Sequence, residues 1–370
     1  MTLVGFFWVW FVMLPKSTRH YSVRNSLQYV AIILCIGSSI GLLVSLVSSF
    51  FVYSAQWLVK SRAMNVDVML VVPGTDLSLL PMLWLVVAAL LLVMVRRFFR
   101  IDRWHGPADS IYAAHRIDNE LDIKAGIGST VAAFISLSGG APVGQYGPLV
   151  HFGAVIGSYL SELFGRQRIT ADVFIGCGVA AAIAAGFHAP IAGVVFAHEA
   201  VLRHFSFRAI APISIASITS AWLSSAIFGG QPIFRIGVKV TDLLPLVPTL
   251  LASGLFFGLI AILFMRLLFD SGKLAAKTGF SPLTLGLIAA VLCGTVAMFV
   301  PEILGLGTET VNAMLNDGYV MGFLLILLIL KLFATSLSIG FGLFGGVFSP
   351  ALFIGAAAGG FLPSLLCFSV

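Results

Sequence analysis

Two glycine–proline interruptions in an apolar chain carry the chemistry. They are Gly144-Gln145-Tyr146-Gly147-Pro148 and Gly345-Gly346-Val347-Phe348-Ser349-Pro350. Each lies between apolar stretches, carries no charge and contains the spacing Gly-x-x-x-Pro. Proline fixes φ, lacks a backbone donor and is tolerated best in the first turn of a helix, so each segment reads as the end of one helix and the start of another. The first amides of a helix have no intrahelical acceptor and sit at the positive end of its dipole. Broken helices at corresponding places in two halves of a membrane chain therefore point to a site that can hold an anion on backbone N–H groups.

The rest of the chain must position these breaks inside a bilayer. Of 370 residues, 59% are hydrophobic and 10% charged, with a mean hydropathy of +1.06, against about 25% charge in a soluble domain. This is an all-α integral membrane protein, which sets the soluble enzymes aside. A bilayer span takes roughly 20 apolar residues. Helical candidates run over 29–59, 79–95, 125–137, 148–164, 171–185, 190–204, 209–228, 243–269, 283–299, 320–339 and 350–366. Pro148, Pro190 and Pro350 open three of them. Several are too short to cross alone, and half-helices at membrane depth survive only where protein or a watery cavity satisfies their ends. The 38 glycines fall largely in apolar segments, where small residues let helices approach closely. A polar stretch over 229–243 divides two similar arrangements, the pattern of an inverted repeat. The expected organisation is an N-terminal cytoplasmic or interfacial segment, 1–28, a first repeat, 29–230, and a second repeat, 231–370. About 80 residues follow Pro148 before the divide and about 20 follow Pro350, so the second repeat is expected to be incomplete.

The net charge of +6 is no nucleic-acid footprint. Arg96, Arg97, Arg100 and Arg103 directly follow an apolar run and read as a cytoplasmic flank, as do Lys16, Arg19 and Arg24. The N-terminus is therefore expected in the cytoplasm, although Lys60 and Arg62 fall on the outer side. The opening run Met1 to Leu14 lacks a positive n-region and a cleavage site, so it is not read as a signal peptide. Cys35, Cys177, Cys293 and Cys367 lie in apolar segments with no pairing pattern and read as free, buried thiols.

Four motifs in order resemble the CLC family of chloride channels and proton/chloride antiporters. GQYGPLVHFGAVIG is similar to the family's G-[KR]-E-G-P segment, and GVAAAIAAGFHAPIAGVVFAHE to its long G-A-A-A-G…F-x-A-P…E stretch. PEILGLGTETV is similar to the segment opening a later linker, and GGVFSPALFIGAAAG to G-x-F-x-P. The resemblance covers about residues 30–366 and implies a CLC-type inverted repeat of tilted and broken helices with no CBS domain, forming a homodimer with one anion pathway per subunit. It makes chloride or a related anion the transported ligand, with no cofactor or metal. It also assigns the anion site to Tyr146, Gly147 and Pro148 facing Gly346, Val347 and Phe348, with Val347 and Phe348 as main-chain donors.

The sequence departs from the family where protons are handled. The gating glutamate falls on Tyr146 and the inner proton glutamate on Ala200, with Glu199 matching the first member of a Glu-Glu pair. The serine of the family's inner loop falls on Trp104. Tyrosine, with a reference pKa near 10, is neutral at pH 7 and cannot mimic an anion. The expected function is passive anion conduction without proton coupling, with Tyr146 as gate. The alternatives are an antiporter using His151, His188 or Glu199 as substitute carriers, and a non-conducting homologue. Several simpler readings stand beside these. Glu199 can pair with Arg203 at i+4, and the histidines can be neutral core groups. Lys124 and Lys331 either raise the local potential for anions or snorkel to the membrane surface. His198-Glu199…His204 is not a zinc helix, because the second histidine is at i+6. No nucleophile–base pair supports an enzyme.

Overall fold

A computed structural model describes residues 23–64, 78–164, 169–229, 233–235, 237, 247–316 and 318–365. Cys367, Lys16, Arg19 and the Met1 to Leu14 run lie outside them, as does most of the 229–243 divide; Cys177 and Cys293 are buried as expected, but Cys35 lies on the outer face of its helix and is exposed. Among the described residues the fold is helical, with isolated bridge positions alone standing for strand, among them a bridge between Gly144 and Gly346.

The helices are α1 (Val23–Met64), α2 (Leu80–Phe99), α3 (Pro107–His115), α4 (Ile123–Ser138), α5 (Tyr146–Phe164), α6 (Ala171–Phe187), α7 (Pro190–Phe196), α8 (Phe207–Phe228), α9 (Val247–Thr278), α10 (Pro282–Phe299), α11 (Thr308–Met314), α12 (Met321–Gly340) and α13 (Phe348–Leu365). Six are long and apolar enough to cross a membrane: α1, α2, α8, α9, α10 and α12. All eleven expected helices are present. α5 and α13 begin two residues before their prolines rather than at them, because the break residues Tyr146 and Phe348 already take helical geometry. α3 and α11, of 9 and 7 residues, were not anticipated.

The order of lengths repeats. α1 to α5 have 42, 20, 9, 16 and 19 residues. α9 to α13 have 32, 18, 7, 20 and 18. The two breaks also share their backbone. Gly140 (φ 94°) and Gly342 (φ 102°) take the left-handed turn after α4 and α12, a conformation that glycine adopts without a Cβ penalty. The next residue in each case bonds back five positions, Ala141 N–H to Ser136 O and Leu343 N–H to Ser338 O, both at 2.9 Å.

α6 is buried along nearly its whole length and sets the centre of the first half. It packs on α5 with almost no side chain between: a Cβ on Gly178 would lie 1.9 Å from Gly153 O, and one on Gly157 would lie 2.1 Å from Phe174 O. A serine seam ties α1, α6 and α8 together. Ser45 Oγ donates to Ser220 O (3.0 Å), Ser220 Oγ to Ala181 O (2.7 Å) and Ser224 Oγ to Ala185 O (3.0 Å), and such interhelical bonds hold helices together where water is absent. Because backbone meets backbone at Gly178, a side chain there can be fitted only by separating α5 from α6. Gly178→Leu is expected to lose more than about 3 kcal/mol, above the usual overpacking range of about 1–3 kcal/mol. Loss of the monodisperse peak on size exclusion in detergent would register it.

Candidate functional site

The breaks meet. Gly144 N–H donates to Gly346 O and Gly346 N–H to Gly144 O, each at 2.6 Å. Glycine is required here by contact: a Cβ on Gly346 would sit 2.8 Å from Gly147 N, and one on Gly144 2.9 Å from Gly346 O. This reciprocal pair brings the N-terminal turns of α5 and α13 against each other. Tyr146 and Phe348 are the first residues of those helices, and Pro148 and Pro350 both fall in the first turn. The first-turn amides of both helices have no acceptor within their own helix, so two positive dipole ends converge.

Tyr146 fills the meeting point. Its ring stacks on Phe187 at 3.8 Å between centroids and meets Phe348 edge-on at 6.0 Å, and Phe187 meets Phe348 at 5.1 Å. The hydroxyl donates to Gly186 O at 3.3 Å. Tyr146 is 8% exposed, whereas Val347 and Phe348 are 45% and 47% exposed, so the second break presents an accessible face while the first is stoppered by its own side chain. Above the ring, a cavity between Tyr146, Ser349, Leu306 and Thr308 holds about 10 Å³, near the minimum for one water. The six residues expected at the site are thus brought together.

Two further polar groups sit in the breaks. Gln145 Oε1 and Ser349 Oγ are buried with no hydrogen-bond partner, and the Ser349 hydroxyl is a donor suited to an anion. These two residues were not singled out, yet each is a polar side chain inside a glycine-rich break. No acidic residue occurs over 123–161 or 318–370, so neither break carries a carboxylate in its own stretch of chain.

The inner loop is tied to the second break through Trp104. Trp104 Nε1 donates to Gly342 O at 3.4 Å and its ring lies 5.6 Å from Phe344, joining this loop to the second break. His105 N–H is taken by Ser129 Oγ (2.9 Å) and Gly106 N–H by Asp109 Oδ2 (2.8 Å). Burial pushes the Asp109 carboxyl up, but bonds from Arg103 and from Gly106 N–H outweigh it and hold it below the usual carboxylate range.

The ionisable candidates separate. Ala200 lies in a π turn, Ala197–Leu202, that continues α7, and Glu199 beside it is exposed. Glu199 and Arg203 form no ion pair, because Arg203 leaves the helix with φ 55°. His198 Nδ1 bonds His204 O (3.1 Å) and His188 Nδ1 pairs with Ser225 Oγ (3.1 Å). His151 Nδ1 pairs with Ser110 Oγ (2.8 Å), and His151 Nε2 is buried without a partner. Lys124 is exposed. Lys331 does not snorkel. It is fully buried, its Nζ donates to Ile303 O (2.7 Å) and Gly305 O (2.9 Å), and it lies 4.7 Å from the Phe353 ring centre. One turn on, Thr335 Oγ1 donates to Pro142 O (2.8 Å), and Gly305 N–H bonds Gly140 O (3.0 Å). This face of α12 therefore holds the first break from the second half.

A family model described as voltage gated chloride channel matches residues 85–369. The chain belongs to that family. An Escherichia coli relative named voltage-gated ClC-type chloride channel ClcB is 27% identical over 74% of this chain and 65% of its own length. The chain spans 60–65% of the length of the curated relatives that it matches. Two solved structures share the fold. A CLC-type fluoride/proton antiporter has a TM-score of 0.77 at 22% identity, over 95% of this chain and 84% of that one. A slow cyanobacterial Cl⁻/H⁺ antiporter has 0.76 at 20% identity, over 90% and 79%. Against the family motifs, Tyr146 stands out as a neutral ring at the point where the two broken helices of this member meet.

Proposed function

We propose that this protein conducts chloride-class anions passively across a membrane, without proton coupling. The observation that carries the reading is the un-ionised Tyr146 ring lodged between opposed helix N-termini, with the Ser349 hydroxyl beside it. The amides of α5 and α13 stabilise the anion by partial charge alone, which permits fast release. Tyr146 gates the path by swinging off Phe187. The Ala200 position leaves no inner carboxylate to deliver protons. Residues 29–230 and 231–370 form the two repeats, the N-terminus is cytoplasmic, and the chain works as a homodimer with one pathway per subunit.

Proton-coupled antiport is the second reading. It is favoured by the buried, half-satisfied His151 and by the antiporter titles of both structural neighbours. Proteoliposomes loaded with chloride and diluted into chloride-free buffer separate the two. The channel reading expects chloride efflux with no change at a pH electrode beyond the leak of empty vesicles. Stoichiometric proton uptake abolished by His151→Ala supports the antiporter instead.

A further inference from the structure

A cavity of about 360 Å³ opens where the C-terminal ends of α2 and α12 meet the turn between α9 and α10. Arg96, Trp104, Phe280, Leu285 and Phe341 wall it, small residues of α9 leave room beside them, and no acidic side chain lines it. The Arg96 guanidinium is held in place. Its Nη2 donates to Asp102 O, it lies 5.4 Å from the centre of the Trp104 ring, and its Nε is buried with no partner. An immobilised cation walling a cavity that no acidic side chain lines selects an anion. The surroundings indicate which. Arg97, Arg100 and Lys277 are exposed on the helix ends nearby, while Lys273 is spent on Asp270 at 3.8 Å. The same ends carry apolar side chains turned outward, Phe98 at 82%, Leu274 at 55% and Phe280 at 52% exposed. The arginine flank marks this side as cytoplasmic, the leaflet surface rich in anionic lipid, and basic pockets between spans on that side suit such headgroups.

We infer that this cavity binds an anionic glycerophospholipid, its phosphate on Arg96 and its acyl chains over the apolar ends of α2 and α9. Guanidinium recognises phosphate by directed, charge-assisted bonds. The position gives the lipid a hold on conduction. Trp104, the indole against which Arg96 rests, also donates to Gly342 O and packs near Phe344, and both lie on the segment entering the second break. A bound headgroup thus braces that break.

Native mass spectrometry of the purified full chain, exchanged into phosphatidylglycerol or phosphatidylcholine, tests this. Phosphatidylglycerol should be retained, and Arg96→Gln should lower that retention at least ten-fold. Ala276→Phe, which fills the cavity without altering charge, should do the same, with helicity by circular dichroism reporting that both variants are folded. Retention unchanged in folded Arg96→Gln overturns the site. Retention lost in Arg96→Gln but kept in folded Ala276→Phe also overturns it, since the lipid then sits outside the cavity. Soluble sn-glycerol 3-phosphate binding as tightly as phosphatidylglycerol overturns the lipid in favour of a free phosphate. Lipid retention is read without any flux, so its failure is distinct from failure of the conduction reading.

Discussion

Tyr146→Ala should raise chloride flux in proteoliposomes by ten-fold or more over the parent protein. On the proposed reading the ring is the stopper: it stacks on Phe187, meets Phe348 and leaves a cavity of only about 10 Å³ above it. Removing it opens a path between the two helix N-termini while leaving every main-chain donor in place. A ten-fold gain corresponds to about 1.4 kcal/mol off the barrier, a modest fraction of what an aromatic plug contributes. Truncating a buried aromatic costs about 3–5 kcal/mol of stability, so flux must be normalised to folded protein. Tyr146→Phe provides the control. It keeps the ring and loses only the 3.3 Å bond to Gly186 O, so its flux should stay within about two-fold of the parent, less than 0.5 kcal/mol on the same scale. Equal flux in the alanine variant and the parent would remove Tyr146 from the path and leave it a packing residue.

Lys331→Met and Lys331→Gln should differ in stability and agree in anion affinity. The ammonium is the one fully buried Lys or Arg among the described residues, and it satisfies Ile303 O and Gly305 O. Methionine leaves both carbonyls unpaired at about 1–3 kcal/mol each, partly offset because a buried charge no longer needs to be desolvated. A net loss of about 2–4 kcal/mol follows. Glutamine retains an N–H donor for these carbonyls and should lose less than half of that. In its protonated form the amine adds positive potential behind the breaks, and both variants remove it. Bromide affinity by calorimetry should therefore fall about ten-fold in either, or about 1.4 kcal/mol. Thermal denaturation in detergent reads the first effect. Identical melting of the two variants would contradict the hydrogen-bonding role, and unchanged affinity would contradict the electrostatic one.

Much of this arrangement was legible in the chain because proline and glycine act locally. Pro148 and Pro350 placed the two helix starts within two residues, and the matched Gly-x-x-x-Pro spacing anticipated that the breaks correspond. α3 and α11 were missed because helices of 9 and 7 residues with several polar positions are too short to show an apolar period. The π turn at Ala197–Leu202 leaves no composition signal, and it removed the i+4 geometry on which a Glu199–Arg203 pair depends. Lys331 lies midway along a 20-residue span, too far from either end to snorkel, so its burial could have been read from position. Its carbonyl partners could not, since Ile303 and Gly305 are brought to it only by tertiary packing. The same holds for Tyr146: its residue type shows a side chain without a carboxylate in the first break, but the stacking on Phe187 depends on α6 ending beside α5.

On the proposed reading, backbone amides of two interrupted helices hold the anion with no carboxylate in competition. Anomalous diffraction from crystals soaked in bromide tests it directly. A peak is expected between residues 146–148 and 347–349, within hydrogen-bond distance of main-chain nitrogens and stronger in Tyr146→Ala. Bromide ordered elsewhere in the fold, with none between those two turns in either protein, would contradict it.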